Sequence, residues 1–167
     1  MMTDTYLSLK RIALHGAMVI LVAALLFLRG TGVYSAQAMD DMNAADEAAI
    51  RIVLTEYHAA LTTENIKLVE KYVVTDARFA MVEGKHTNWG WADYRDNHLT
   101  PELAGLSKVD FRLEFKAVHV SGNMAYSSFI YHISPKGDPS QNYGSGRGTV
   151  VLIRNQDGWL IQHFHTS

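Results

Sequence analysis

Cysteine is absent from all 167 residues. A disulfide framework, lipid attachment through an N-terminal cysteine and a cysteine nucleophile are therefore excluded, and core burial has to hold the fold together. No Gly-x-Ser-x-Gly elbow is present, which removes the usual support for a serine nucleophile. Gly144-Ser-Gly-Arg-Gly148 is rich in glycine but runs into a strand with no helix after it, so it is not a phosphate or dinucleotide loop. The strong metal signature His-Glu-x-x-His is missing, as are internal repeats and low-complexity segments. Basic tracts are also lacking. With Lys10, Arg11, Arg29 and Asp4 set aside, 12 basic residues face 16 acidic ones, a formal charge of −4. That balance excludes the electrostatic footprint of a nucleic-acid binder.

What is present begins with an apolar segment, residues 16–28, behind the basic pair Lys10 and Arg11. Arg29 and Gly30 end it, and Ala36-Gln37-Ala38 has the small-x-small pattern of a cleavage site. Residues 1–38 thus read as a secretory signal peptide, with a periplasmic or secreted product. The rival is an uncleaved membrane anchor starting near Ile12, although the uninterrupted run falls short of the roughly 20 residues that span a bilayer. Residues 39–45 read as a flexible start and 46–167 as one domain, long enough for a sizeable core.

Ile50, Val53, Leu54, Tyr57 and Leu61 share a helical face, with Asp46 and Glu47 in the first turn. His58 lies off that stripe and is expected at the surface. A second helix starts at Thr63, followed by a short extended piece around Phe79 and Met81 that closes at Glu83-Gly84. In residues 88–99 Trp91, Tyr94 or Arg95, and His98 stack on one helical side, and Thr100-Pro101 predicts a bent or two-part helix, because Thr can cap and Pro opens a new turn. From Lys108 the period becomes two: Val109, Phe111, Leu113 and Phe115 alternate with charged residues. Strands over 124–133 and 146–154 follow, and Asn155-Gln-Asp-Gly158 turns into a terminal strand.

Strict alternation puts Trp159, Ile161, His163 and His165 on one face of that last strand. A tight turn then sets Arg154 opposite Trp159, Leu152 opposite Ile161, Val150 opposite His163 and Gly148 opposite His165, the glycine leaving space beside the imidazole. Two histidines on one face are either satisfied core residues or the wall of a pocket.

The order of helices and strands, closed by Arg154-Asn-Gln-Asp-Gly-Trp-Leu-Ile-Gln-His-Phe-His-Thr-Ser167, resembles the SnoaL-like branch of the nuclear transport factor 2-like superfamily. Its end also resembles the association domain of calcium/calmodulin-dependent protein kinase II. The resemblance implies an α+β fold, in which a strongly curved antiparallel sheet wraps N-terminal helices as a cone with an internal pocket. It also implies a homodimer formed through the outer sheet face. Members include isomerases, dehydratases, cyclases, assembly domains and binders without chemistry.

The pocket so implied takes a small organic molecule, with Trp89, Trp91, Tyr94, His98, His163 and His165 as candidate ligand contacts. If there is acid/base chemistry, the candidates are His163, His165 and Asp76. No cofactor is required. The sharper alternative is a zinc or copper site drawn from His86, His98, Glu102, His163 and His165. A ligand-free dimeric interaction module is the remaining reading.

Overall fold

The structure is a computed structural model that describes residues 37–167; the leader, anchor and cleavage expectations fall largely or wholly on residues outside this range. No helix among the described residues is long and apolar enough to cross a membrane. Residues 37–61 are helical (α1), so the assignment reaches back over 39–45, where a flexible start was expected and where the side chains are exposed. The Ile50, Leu54, Tyr57 and Leu61 face is buried as its spacing requires. His58 is buried as well, at 4% exposure, which corrects its surface assignment. It stands at i+4 from Leu54 and widens the apolar stripe.

A short α2 (Ile66–Val69) follows, capped by Asn65, whose Oδ1 accepts from Lys67 N at 3.1 Å. A hairpin comes next, β1 (Ala80–Glu83) with β2 (His86–Trp89), then α3 (Trp91–Tyr94), a wide π turn (Arg95–Leu99) and α4 (Thr100–Leu106). The two-part division expected at Thr100-Pro101 does not occur. Thr100 N donates to Arg95 O, five residues back, and makes no side-chain cap. Widening the turn removes the clash a proline ring makes with the preceding carbonyls, so the three pieces run on without interruption.

Four long strands complete the chain: β3 (Val109–Ser121), β4 (Met124–Pro135), β5 (Gly144–Arg154) and β6 (Trp159–Thr166). They and the hairpin form one curved, unclosed six-stranded sheet, ordered β2-β1-β6-β5-β4-β3. β1 joins β6 in parallel, Met81 beside Phe164 and Glu83 beside Thr166.

Two bulges decide which side chains face inward. In β3 Lys116 has no partner on β4, so the inward set passes from Phe111, Leu113 and Phe115 to Val118 and Val120. Ser127 Oγ, fully buried, donates to the Ala117 carbonyl at this irregularity, at 2.9 Å. In β6 Gln162 is the extra residue: Leu152 pairs with Ile161, but Val151 pairs with His163 and Val150 with Phe164.

The second bulge corrects the terminal-strand expectation. Trp159 and Ile161 are buried, yet beyond Gln162 it is Phe164 and Thr166 that turn inward, while His163 is half-buried and His165 exposed. Gly148 therefore faces Thr166, and a Cβ there would meet the Phe129 ring at 2.5 Å. The space the glycine leaves is filled by an aromatic ring and not by a pocket beside His165.

Candidate functional site

The concave side of the sheet lines a half-open cavity of about 120 Å3 between α1, the α3–α4 stretch, and strands β1, β3, β4 and β6. Its apolar wall is Leu61, Met81, Leu106, Phe111, Ile133 and Phe164, and its polar groups are Tyr57, His58, Glu83, Tyr94, Glu102, Tyr131 and Thr166.

Tyr57 on α1 and Tyr94 on α3 bring their hydroxyls to 3.4 Å apart. Two hydroxyls carry two donors, and one bond between them uses one. The other O–H has no protein partner in this pair. Both phenols stay neutral. Burial, opposed by the Tyr94 hydrogen bond and reinforced by the Glu83 carboxylate, pushes Tyr57 up to about 12. Burial, the Tyr57 hydroxyl and the Glu83 and Glu102 carboxylates raise Tyr94 well above the ordinary phenol range.

His58 supplies an acceptor. Its Nδ1–H donates to the Leu54 carbonyl at 2.7 Å, which leaves Nε2 to face the cavity. Tyr57, Phe111, Phe129 and Phe164 surround the ring at centroid distances of 5.3 to 5.8 Å. Burial in this aromatic cage lowers its pKa to about 4, against the backbone hydrogen bond, so the ring is neutral near pH 7. Thr166 Oγ1 is buried with no hydrogen-bond partner. A buried hydroxyl without a partner is uncommon, and this one belongs to a residue lining the cavity.

A second depression, about 210 Å3, shares Glu102 with the first and is lined by His86, Thr87, Asn88, Asn97, His98, Pro101 and Glu102. His98 Nε2 stands 3.2 Å from Glu83 Oε2 and 3.6 Å from Glu102 Oε1.

Of the residues singled out from sequence, Tyr94 lines the inner cavity, and His86, His98 and Glu102 converge on the second depression. Trp91 is core: it packs on Phe79 and donates Nε1–H to Glu70 Oε1 at 3.1 Å. Trp89 is 72% exposed on β2. Asp76 does not line the cavity; it is half-exposed, with both its oxygens bonded to Arg78, from Arg78 N at 2.8 Å and Nη2 at 2.8 Å. His163 and His165 are displaced by the bulge and line neither space; burial and the neighbouring His165 lower the pKa of His163.

Sequence reasoning missed Tyr57, His58, Glu83, Asn88 and Thr166 as site residues. Glu83 was legible, since period two from Met81 puts it on the same face, and His58 continues the Ile50–Leu54 spacing by one more turn. Thr166 was not, because its facing depends on the bulge.

The SnoaL-like domain family matches residues 50–167. No curated protein matches the chain. Among solved structures it is similar to a nuclear transport factor 2-like superfamily protein from Salmonella enterica serovar Typhimurium LT2, at 20% identity and TM-score 0.62, over 74% of this chain and 91% of that one. A Shewanella frigidimarina protein named as a candidate ketosteroid isomerase is similar at 26% identity and TM-score 0.59, over 73% and 96% of the two chains. A candidate calcium/calmodulin-dependent protein kinase type II association domain from Thiobacillus denitrificans is similar at 14% identity and TM-score 0.61, over 69% and 90%.

Proposed function

The chain belongs to the SnoaL-like domain family, and on that premise we propose that it binds a small organic molecule in the concave cavity, through an apolar body and one oxygen-bearing group. The observation that carries this reading is the Tyr57–Tyr94 pair, two buried neutral hydroxyls with one donor left over at the end of an apolar space. A carbonyl or hydroxyl oxygen would accept that hydrogen, and a ligand hydroxyl could in turn donate to His58 Nε2.

Size narrows the class. An apolar engineered cavity of about 150 Å3 takes up benzene, so a space of about 120 Å3 suits a molecule of one ring or less. A four-ring substrate such as a steroid needs several times that volume, and the naming of the Shewanella protein is therefore not carried over as a substrate.

An acid/base enzyme on a small carbonyl compound is the second reading, favoured by the Glu83 carboxylate on the same cavity. His58 argues against being its base, because a pKa of about 4 makes it a weak proton acceptor at neutral pH. Export to the periplasm or exterior, supported by the composition of residues 1–38, and a homodimer through the outer sheet face belong to the same proposal.

The test uses single-ring fragments with and without a carbonyl, benzaldehyde against toluene, read by thermal shift and by perturbation of resonances from cavity residues. Benzaldehyde should bind better, and replacing both tyrosines by phenylalanine should remove the difference. A wild type that binds neither fragment, or a preference indifferent to both tyrosines, would refute the assignment. With acetophenone as the carbonyl probe, exchange of its methyl hydrogens with D2O solvent, lost in Glu83→Gln, would decide for the enzyme.

A further inference from the structure

Both carboxylate oxygens of Asp93 are committed. Oδ2 accepts from Asn88 Nδ2 at 3.1 Å and Trp89 N at 3.1 Å, and Oδ1 from Asn97 Nδ2 at 2.9 Å. These bonds orient the Asn88 amide, 8% exposed, with its nitrogen toward Asp93 and its oxygen toward His98. His98 Nδ1–H donates to that oxygen at 2.7 Å. Nε2 is the nitrogen left to face Glu83 and Glu102.

An imidazolium pairing with carboxylates would hold them at about 2.7–2.9 Å. The separations here are longer, 3.2 and 3.6 Å. They come closer to a different geometry, the 3.6 Å separation within its range and the 3.2 Å one just below it. Around a tetrahedral ion with bonds of about 2.0–2.2 Å, ligand atoms stand about 3.3–3.6 Å from one another. Donor atoms of Glu83, His98 and Glu102 all lie within 4.8 Å of one another. An imidazole whose second nitrogen is held by an amide that is itself held by a carboxylate is the support that metal-ligating histidines have.

We propose that Glu83, His98 and Glu102 bind a divalent cation of the zinc class through His98 Nε2 and one oxygen of each carboxylate, with Asn88 as the positioning residue. The cation would relieve the mutual repulsion of two carboxylates aimed at one point. His86 offers a further imidazole: it is exposed, and its ring lies 6.0 Å from that of His98. The π turn and the unbroken helix behind it make the site, since they put His98 and Glu102 on one side across Pro101. Because Glu83 and Glu102 also line the inner cavity, the ion would sit on the border between the two spaces. The proposal needs no organic ligand and stands apart from the cavity reading.

The experiment strips the full-length chain with EDTA, titrates Zn2+ against a chromophoric chelator, and follows the visible absorption of Co2+ as a probe of tetrahedral coordination. One ion per chain is expected. His98→Ala and Glu102→Gln should each abolish the Co2+ spectrum, and Asn88→Ala should weaken Zn2+ binding by about 10–100-fold while keeping it. Glu102, 54% exposed, is the ligand whose replacement least disturbs folding, and circular dichroism of each metal-free variant checks that. Tyr57→Phe and the His163→Ala, His165→Ala pair should leave affinity unchanged, which separates this site from the organic ligand and from the terminal strand. No Zn2+ bound by the wild type, affinity unaltered in His98→Ala and Glu102→Gln, or loss in the His163, His165 pair would overturn the proposal.

Discussion

Replacing His58 by phenylalanine should remove a defined part of the acid sensitivity of this fold. In the folded chain the ring lies among Tyr57, Phe111, Phe129 and Phe164 and has a pKa of about 4, whereas in the unfolded chain it returns to an ordinary value near 6.5. Between those values the unfolded state binds the extra proton, so stability is complete above about pH 6.5 and falls as pH drops toward 4. The difference between about 6.5 and about 4 is worth about 3 kcal/mol, most of it lost by pH 4. That is a large share of the 5–15 kcal/mol typical of a domain. The assay is urea unfolding of wild type and His58→Phe between pH 4 and 7. Carboxylates held low by partners, such as Asp93 and Asp76, titrate in both proteins and cancel in the difference. Wild-type stability should fall by about 3 kcal/mol more than that of the variant across this range. Parallel curves would refute the claim that His58 is buried neutral.

Three other outcomes follow from the sheet. Gly148→Ala sets a Cβ against the Phe129 ring at 2.5 Å and should cost about 1–3 kcal/mol in urea unfolding; a neutral result would mean that the ring moves aside freely. Deleting Gln162 removes the β6 bulge and forces Phe164, 2% exposed, either outward or into a shifted register, at a cost of at least about 1.5–3 kcal/mol for that side chain alone. The pair His163→Ala, His165→Ala should leave the fragment-induced thermal shift intact, because both rings lie across the sheet from the cavity; loss of the shift would restore them to its wall.

Much of this arrangement is visible in the linear chain. The Ile50–Leu61 stripe, the two-residue period from Val109 to Phe115 and the turn at Asn155–Gly158 each report a local regularity, and each places its residues correctly. The stacking of Trp91, Tyr94 and His98 also survives, with ring centroids 5.8 and 5.3 Å apart. The short strand His86–Trp89 was unreadable, because four residues ending in tryptophan have too little periodicity to set against the helix that follows.

The α+β order and the SnoaL-like family can be read from the linear chain. Which side chains meet is set by the folded chain. Patterns extrapolate a constant period, and a single inserted residue in a strand or a widened turn in a helix resets the phase of everything after it. Gln162 turned His163 and His165 out of the cone and Thr166 into it, while the π turn carried His98 past Pro101 to Glu102. The period of two places Glu83 on the Met81 face of β1, but where that face lies depends on β1 running parallel to β6, a pairing between distant segments that no local pattern records.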